Sequence, residues 1–178
     1  MMTRPVVGVV GDFTSGVTAR ARHYTGAALK EIAFPLGGIG TGTVSLGGRG
    51  QLRDWEIFNR PAKGRDLPLC FFAIWVKPDD GEAVARVLER RLLPPFVADR
   101  GLSPWAVASL PRLQEATFVG SYPMAAVHFH DRVLPVEVEL EAFTPFAPLD
   151  DRVSGLPVAV FLWRLSNPSD KPVDVTLA

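Results

Sequence analysis

Phe34-Pro35-Leu36-Gly37-Gly38-Ile39-Gly40-Thr41-Gly42-Thr43-Val44-Ser45-Leu46-Gly47-Gly48-Arg49-Gly50-Gln51-Leu52-Arg53-Asp54-Trp55-Glu56-Ile57-Phe58-Asn59-Arg60-Pro61 is the stretch that decides the architecture of this chain. Seven glycines fall between residues 37 and 50, and a dense polar and aromatic cluster follows at once. Glycine is unfavourable wherever backbone freedom is not needed, so this density calls for tight turns, positive φ angles or close approach of another backbone. A phosphate cradle does not fit. The dinucleotide fingerprint needs glycines at offsets zero, two and five, and Gly38-Ile39-Gly40 meets Thr43 there while Gly40-Thr41-Gly42 meets Ser45. No Gly-Lys-Ser/Thr occurs either. Two short strands fit better: residues 42–46 alternate, Gly47-Gly48-Arg49-Gly50 turns, and residues 51–55 resume.

Outward from this stretch, strand patterns dominate. Residues 71–76 are aromatic and branched and are closed by Pro78-Asp79-Asp80-Gly81. Residues 82–93 are compatible with helix or strand, and strand is the expectation. The proline-containing residues 94–117 predict a long surface excursion with a turn of helix, order returning at Phe118. Residues 125–131, 134–143 and 157–167 alternate or run apolar at strand length between turn signals, and residues 173–178 alternate to the last position. The expected fold class is therefore all-β, a partial β-sandwich incomplete at its carboxyl end, over residues 34–178. Residues 1–33 form a lead-in with a helical turn or two at residues 27–32.

The chain has 178 residues, enough for one domain with a substantial core. Nineteen basic residues balance nineteen acidic ones, which leaves no electrostatic footprint for nucleic acid or an anionic membrane. Fifteen arginines against four lysines suit a GC-rich bacterial genome. The lone Cys70, between Leu69 and Phe71, reads as a buried small hydrophobe. The apolar run at residues 6–10 is too short for a signal-peptide core and no stretch reaches membrane-spanning length, so the cytoplasm is the expected location.

Few residues offer chemistry. His128 and His130 share one strand face, but a third metal ligand is missing nearby, so no metal is expected. Glu137, Glu139 and Glu141 share a face opposite Val136, Val138 and Leu140, which describes a half-buried strand with a solvated acidic side and predicts arginines on a neighbouring strand. They are not expected to serve as a glycosidase pair, whose two carboxyl groups face each other across the bond at about 5 Å in retaining enzymes. The remaining candidates are Arg53, Asp54, Trp55, Glu56, Asn59 and Arg60. Carboxylates beside an aromatic can hold a sugar ring; equally, Trp55 can pack inward while its charged neighbours form ion pairs at a domain junction. The junction is the favoured expectation.

The glycine stretch, Gly47-Gly48-Arg49-Gly50 and Leu52-Arg53-Asp54-Trp55-Glu56-Ile57-Phe58-Asn59-Arg60-Pro61 together closely resemble the amino-terminal region of non-lysosomal glucosylceramidases, glycoside hydrolase family 116. Tyr122-Pro123, Leu134-Pro135-Val136, Glu141-Ala142-Phe143-Thr144-Pro145-Phe146 and Leu156-Pro157 follow in the order of that region's later strands. The resemblance implies a sandwich that precedes an (α/α)6 barrel, where a glutamate nucleophile and an aspartate acid/base hydrolyse β-glucosides, glucosylceramide included, with retention. Neither catalytic motif occurs here, so no catalytic residue and no cofactor are expected in this chain. The implied partners are the barrel of the same polypeptide and, in the parent, the β-glucoside. Residues 53–60 are expected to face the barrel. A partial sandwich is also expected to leave sheet edges unpaired and apolar faces uncovered. The competing expectation is a free-standing carbohydrate-binding module that holds sugar on Trp55, Trp75, Trp105 and Trp163; affinity without the barrel would favour it.

Overall fold

In a computed structural model, the described residues are 21–64, 67, 69–92 and 110–178. The elements are β1 (Arg22–Tyr24), a 3-10 helix (Gly26–Glu31), β2 (Ala33–Leu36), β3 (Thr43–Gly47), β4 (Leu52–Glu56), β5 (Ala73–Pro78) and β6 (Val84–Arg90). After them come β7 (Arg112–Leu113), β8 (Glu115–Ser121), β9 (Met124–His130), β10 (Glu137–Phe143), a single-turn helix α1 (Asp151–Ser154), β11 (Val160–Ser166) and β12 (Val173–Leu177). They form a five-stranded sheet β1-β8-β9-β10-β11, a four-stranded sheet β12-β5-β6-β7 and a three-stranded sheet β2-β3-β4. Every pairing is antiparallel except β6 with the short β7.

The sheets do not close into a barrel; they stack. Alternation along β10 sends Val138, Leu140 and Ala142 inward, and β9 contributes Ala125, Val127 and Phe129 on the same side. Phe34 of β2 meets Phe118 of β8, and Phe72, just before β5, meets Phe161 and Trp163 of β11. The inner face of the large sheet thus packs on both smaller sheets around one continuous core. This is the all-β, sandwich-like class that the alternating segments predict.

Where the sequence was ambiguous, at residues 82–93, the strand wins: β6 pairs with β5 over Val84 to Val87. Most of the expected surface excursion, residues 94–109, lies outside the described residues, and so do the apolar run at 6–10 and Trp105. The end of that excursion is corrected. Arg112–Leu113 joins the four-stranded sheet beside β6, and β8 already begins at Glu115 because Ala116 pairs with Phe129 and fills the core. Within the supposed lead-in, Arg22–Tyr24 pairs with β8 and Leu29 of the 3-10 helix is fully buried. The β12 residues Val175 and Leu177 lie beside buried Val76 and Ile74 of β5, on the inward side, yet both remain exposed.

The Gly47–Gly50 turn is formed as the sequence predicts, with Gly50 N–H donating to the Gly47 carbonyl at 2.9 Å and Gly47 N–H donating to the Gln51 carbonyl at 2.8 Å. A three-residue hairpin loop of this kind needs a left-handed residue at its end, and Gly50 supplies it with φ +93°. The turn is buried, not solvated: a Cβ on Gly50 would lie 2.6 Å from Phe129 Cζ and 3.0 Å from the Leu88 carbonyl oxygen. Arg49 at its tip is fully buried and reaches into the four-stranded sheet. Its Nη1 lies 3.4 Å from Glu89 Oε2 and donates to the Arg90 carbonyl at 3.1 Å, and Arg112 Nε donates to the same Glu89 oxygen at 3.3 Å.

Candidate functional site

Four of the six candidate residues lie on or directly after the far end of the same hairpin. Between the pairs Thr43 with Glu56 and Ser45 with Arg53, one residue of β3 faces two of β4, which is a bulge. Asp54 sits in it at φ +52°, buried, paired with Arg53 at 3.3 Å, and its carboxylate accepts the Gly64 N–H. The bulge breaks the side-to-side alternation of β4. Trp55 accordingly does not pack fully inward as expected: it is half-buried, and its indole N–H, itself covered, has no acceptor among the described residues.

Beyond β4 the chain reverses in a tight turn closed by the Arg60 N–H on the Ile57 carbonyl at 3.3 Å. Both central residues are left-handed, Phe58 at φ +56° and Asn59 at φ +57°. Asparagine tolerates this conformation; a bulky aromatic does so only under strain. Phe58 gains no burial in exchange, because it is 89% exposed. The reversal brings Asn59, Arg60 and Pro61 against the glycine loop, and these residues with Gly38, Gly40, Thr41, Gly42, Thr43 and Glu56 line a cleft of about 400 Å³.

The opposite wall of the cleft is held from behind. Ile39 N–H donates to the Ser154 carbonyl at 2.8 Å and Gly37 N–H to Thr144 Oγ1 at 2.8 Å, which ties the loop to α1 and to the end of β10. Gly38 lies so close to the segment after α1 that a Cβ would sit 2.2 Å from the Leu156 carbonyl oxygen. α1 is capped by Asp150, whose carboxylate accepts from the N–H groups of Arg152 and Val153. The exposed Lys63 ammonium donates to the cleft-lining Glu56 at 2.7 Å and, with the Ala62 N–H, holds that carboxyl below the usual range against a smaller opposing effect of desolvation.

The structure therefore divides the candidates. Arg53 and Asp54 pin the bulge, Trp55 stands half-covered beside them, and Glu56, Asn59 and Arg60 reach the cleft. Thr41 and Thr43 were missed as lining residues; their only signal was the glycine density around them. The buried Arg49–Glu89–Arg112 group was missed as well, since an arginine inside a glycine turn reads as solvated.

The other chemical candidates resolve into structure. His128 and Glu139 are cross-strand partners 3.6 Å apart, and Arg164 of β11, across from Glu139, approaches both Glu139 and Glu141. The arginine expected beside the acidic row is there, but the row is not uniformly solvated: Glu137 is exposed and Glu141 is buried. Among the described residues no three His, Cys, Asp or Glu side chains gather as a metal site. Burial pushes the half-buried Cys70 thiol up, away from the reactive thiolate form. Burial also opposes ionisation of Asp131, but Arg86 and the Val133 and Leu134 N–H groups outweigh it and lower its pKa. The described tryptophans do not form one sugar-binding face: Trp163 points inward and stacks on Phe129, Trp55 is half-covered, and Trp75 lies on another sheet. No helix among the described residues is long and apolar enough to cross a membrane.

Among the described residues, stacked antiparallel sheets with a polar cleft at the open end of the β3–β4 hairpin define an all-β, sandwich-like domain. The sequence matches, over residues 33–178, the family described as beta-glucosidase 2, glycosyl-hydrolase family 116 N-term. The chain belongs to that family, and the match begins at the first residue of β2.

Proposed function

We propose that this chain is the amino-terminal support domain of a retaining β-glucosidase whose catalytic residues lie in a carboxyl-terminal part of the parent polypeptide, with β-glucosides such as glucosylceramide as substrates. The open end of the β3–β4 hairpin is the surface that faces that part. The observation that carries this is the exposure of Phe58 and Ile39 beside the cleft, together with membership of an amino-terminal glycosidase family. Leu156, which lies against Gly38 just after α1, is exposed too, as is Leu149 before α1. Such a patch on a soluble domain marks an interaction surface. Catalysis in this arrangement depends on the domain through positioning.

The test is an Ile39→Asp, Phe58→Asp double variant of the parent enzyme, assayed with a chromogenic β-glucoside. The expected outcome is a kcat/KM at least about tenfold lower, on the order of 1.4 kcal/mol of lost positioning, with the isolated 178-residue chain releasing no glucose. Turnover by the isolated chain, or an unaltered parent in the double variant, defeats the proposal.

A further inference from the structure

The cleft between the glycine loop and the Ile57–Arg60 turn has a composition that selects its ligand. Glu56 is ionised and can only accept hydrogen bonds, Arg60 can only donate them, and Asn59, Thr41 and Thr43 do both. Lys63 and the Ala62 N–H already hold the Glu56 carboxylate, so a cation meets Arg60 and the remaining positive charge makes phosphate the competitor that a titration must separate. A neutral molecule with several hydroxyl groups satisfies every member, because each hydroxyl both donates and accepts. The volume, about 400 Å³, lies within the range of small-molecule sites.

Strain points the same way. Left-handed Phe58 stands where turns of this geometry take glycine, asparagine or aspartate, and it is 89% exposed, so folding gains nothing from the ring at that place. The turn is nonetheless well determined, tied by the Arg60 N–H and by the contacts of Glu56 with Ala62 and Lys63. In sequence Phe58 lies between two lining residues, Glu56 and Asn59, so an exposed apolar ring is carried by the turn that forms one wall of the cleft.

We infer that this cleft binds a pyranose through Glu56, Asn59 and Arg60, with Phe58 covering the ring's apolar face. The ligand class is a neutral glycoside. This deepens the support-domain reading and rests on it for the choice of β-glucosides: a sugar held here would lie at the surface facing the catalytic part, as a subsite for a residue of the substrate remote from the cleaved bond.

The experiment is a titration of the isotope-labelled 178-residue chain with methyl β-glucoside and cellobiose, followed by amide chemical shifts. Shifts confined to residues 38–43 and 56–61, with a dissociation constant on the order of 1–10 mM, are expected. Affinity should fall at least about tenfold in Asn59→Ala, Arg60→Ala, as expected when direct hydrogen bonds to a ligand are lost, and also in Phe58→Ala; all three positions are exposed, so the variants should stay folded, with the rest of the amide spectrum unchanged. Sodium phosphate should leave the same amides unmoved. Silence with both sugars at about a hundredfold excess over the expected constant, shifts located on a sheet face, a response to phosphate, or undiminished affinity in the variants would each overturn the inference. If the sugar binds but a parent carrying Ile39→Asp alone is fully active, only the docking proposal falls; if that parent is impaired while the chain ignores sugar, only this inference falls.

Discussion

The two ends of the β3–β4 hairpin are built from similar material and put to opposite uses. At the closed end, Gly47 to Gly50 turn inside the protein, with Gly50 in the left-handed position such a loop requires and Phe129 filling the space a side chain would need. At the open end, the next reversal places a phenylalanine in a left-handed position and leaves its ring in solvent. Local chemistry agrees with the fold at the first end and conflicts with it at the second. Agreement marks the part of the hairpin that specifies the architecture; conflict without any packing gain marks the part retained for something outside the domain.

The comparison breaks first at Glu89. Its carboxylate neutralises two arginines from two sheets, and its side chain, like that of Arg49, is only 1% exposed. Glu89→Ala should lower stability by about 3–5 kcal/mol, because the two buried guanidinium groups lose this carboxylate while still shielded from water; urea unfolding measures it. A loss below about 1 kcal/mol would show that the closed end is solvated after all. Next comes Gly50→Ala, where left-handed strain and contact with Phe129 and the Leu88 carbonyl combine for a loss of about 2–3 kcal/mol. The smallest effect has the opposite sign. Phe58→Asn relieves the strain at an exposed site and should raise stability by about 0.5–1 kcal/mol, readable as an increase in Tm. If Phe58→Asn destabilises the chain, the ring packs more than its exposure suggests and the contrast between the two ends fails.

Much of the architecture was legible because strands advertise themselves locally. Period-two alternation located β9 through β12, and the spacing of Gly47-Gly48-Arg49-Gly50 between alternating runs announced the hairpin. What escaped depends on partners distant in sequence. Glu141 carries the same pattern as Glu137, yet one is buried and the other exposed, because burial is decided by neighbouring strands and by contacts such as that with Arg164. The bulge at Asp54 reverses the sidedness of β4 without any change in residue type that periodicity could detect, which is why Trp55 was expected to point inward. At the site, residues 53–60 stood out by composition, but the split between the ion-paired Arg53 and Asp54 and the cleft-lining Glu56, Asn59 and Arg60 is produced by that bulge and the following turn.

The pairing of β1 with β8, and of β12 with β5, joins segments roughly a hundred residues apart, which puts a large entropic loss ahead of the reward on the folding path. During synthesis the four-stranded sheet cannot finish until β12 has left the ribosome, and until then β5 offers an open edge carrying Ile74, Trp75 and Val76. Nascent chains of this protein should therefore stay bound to chaperones until late in translation, with release set by the emergence of β12.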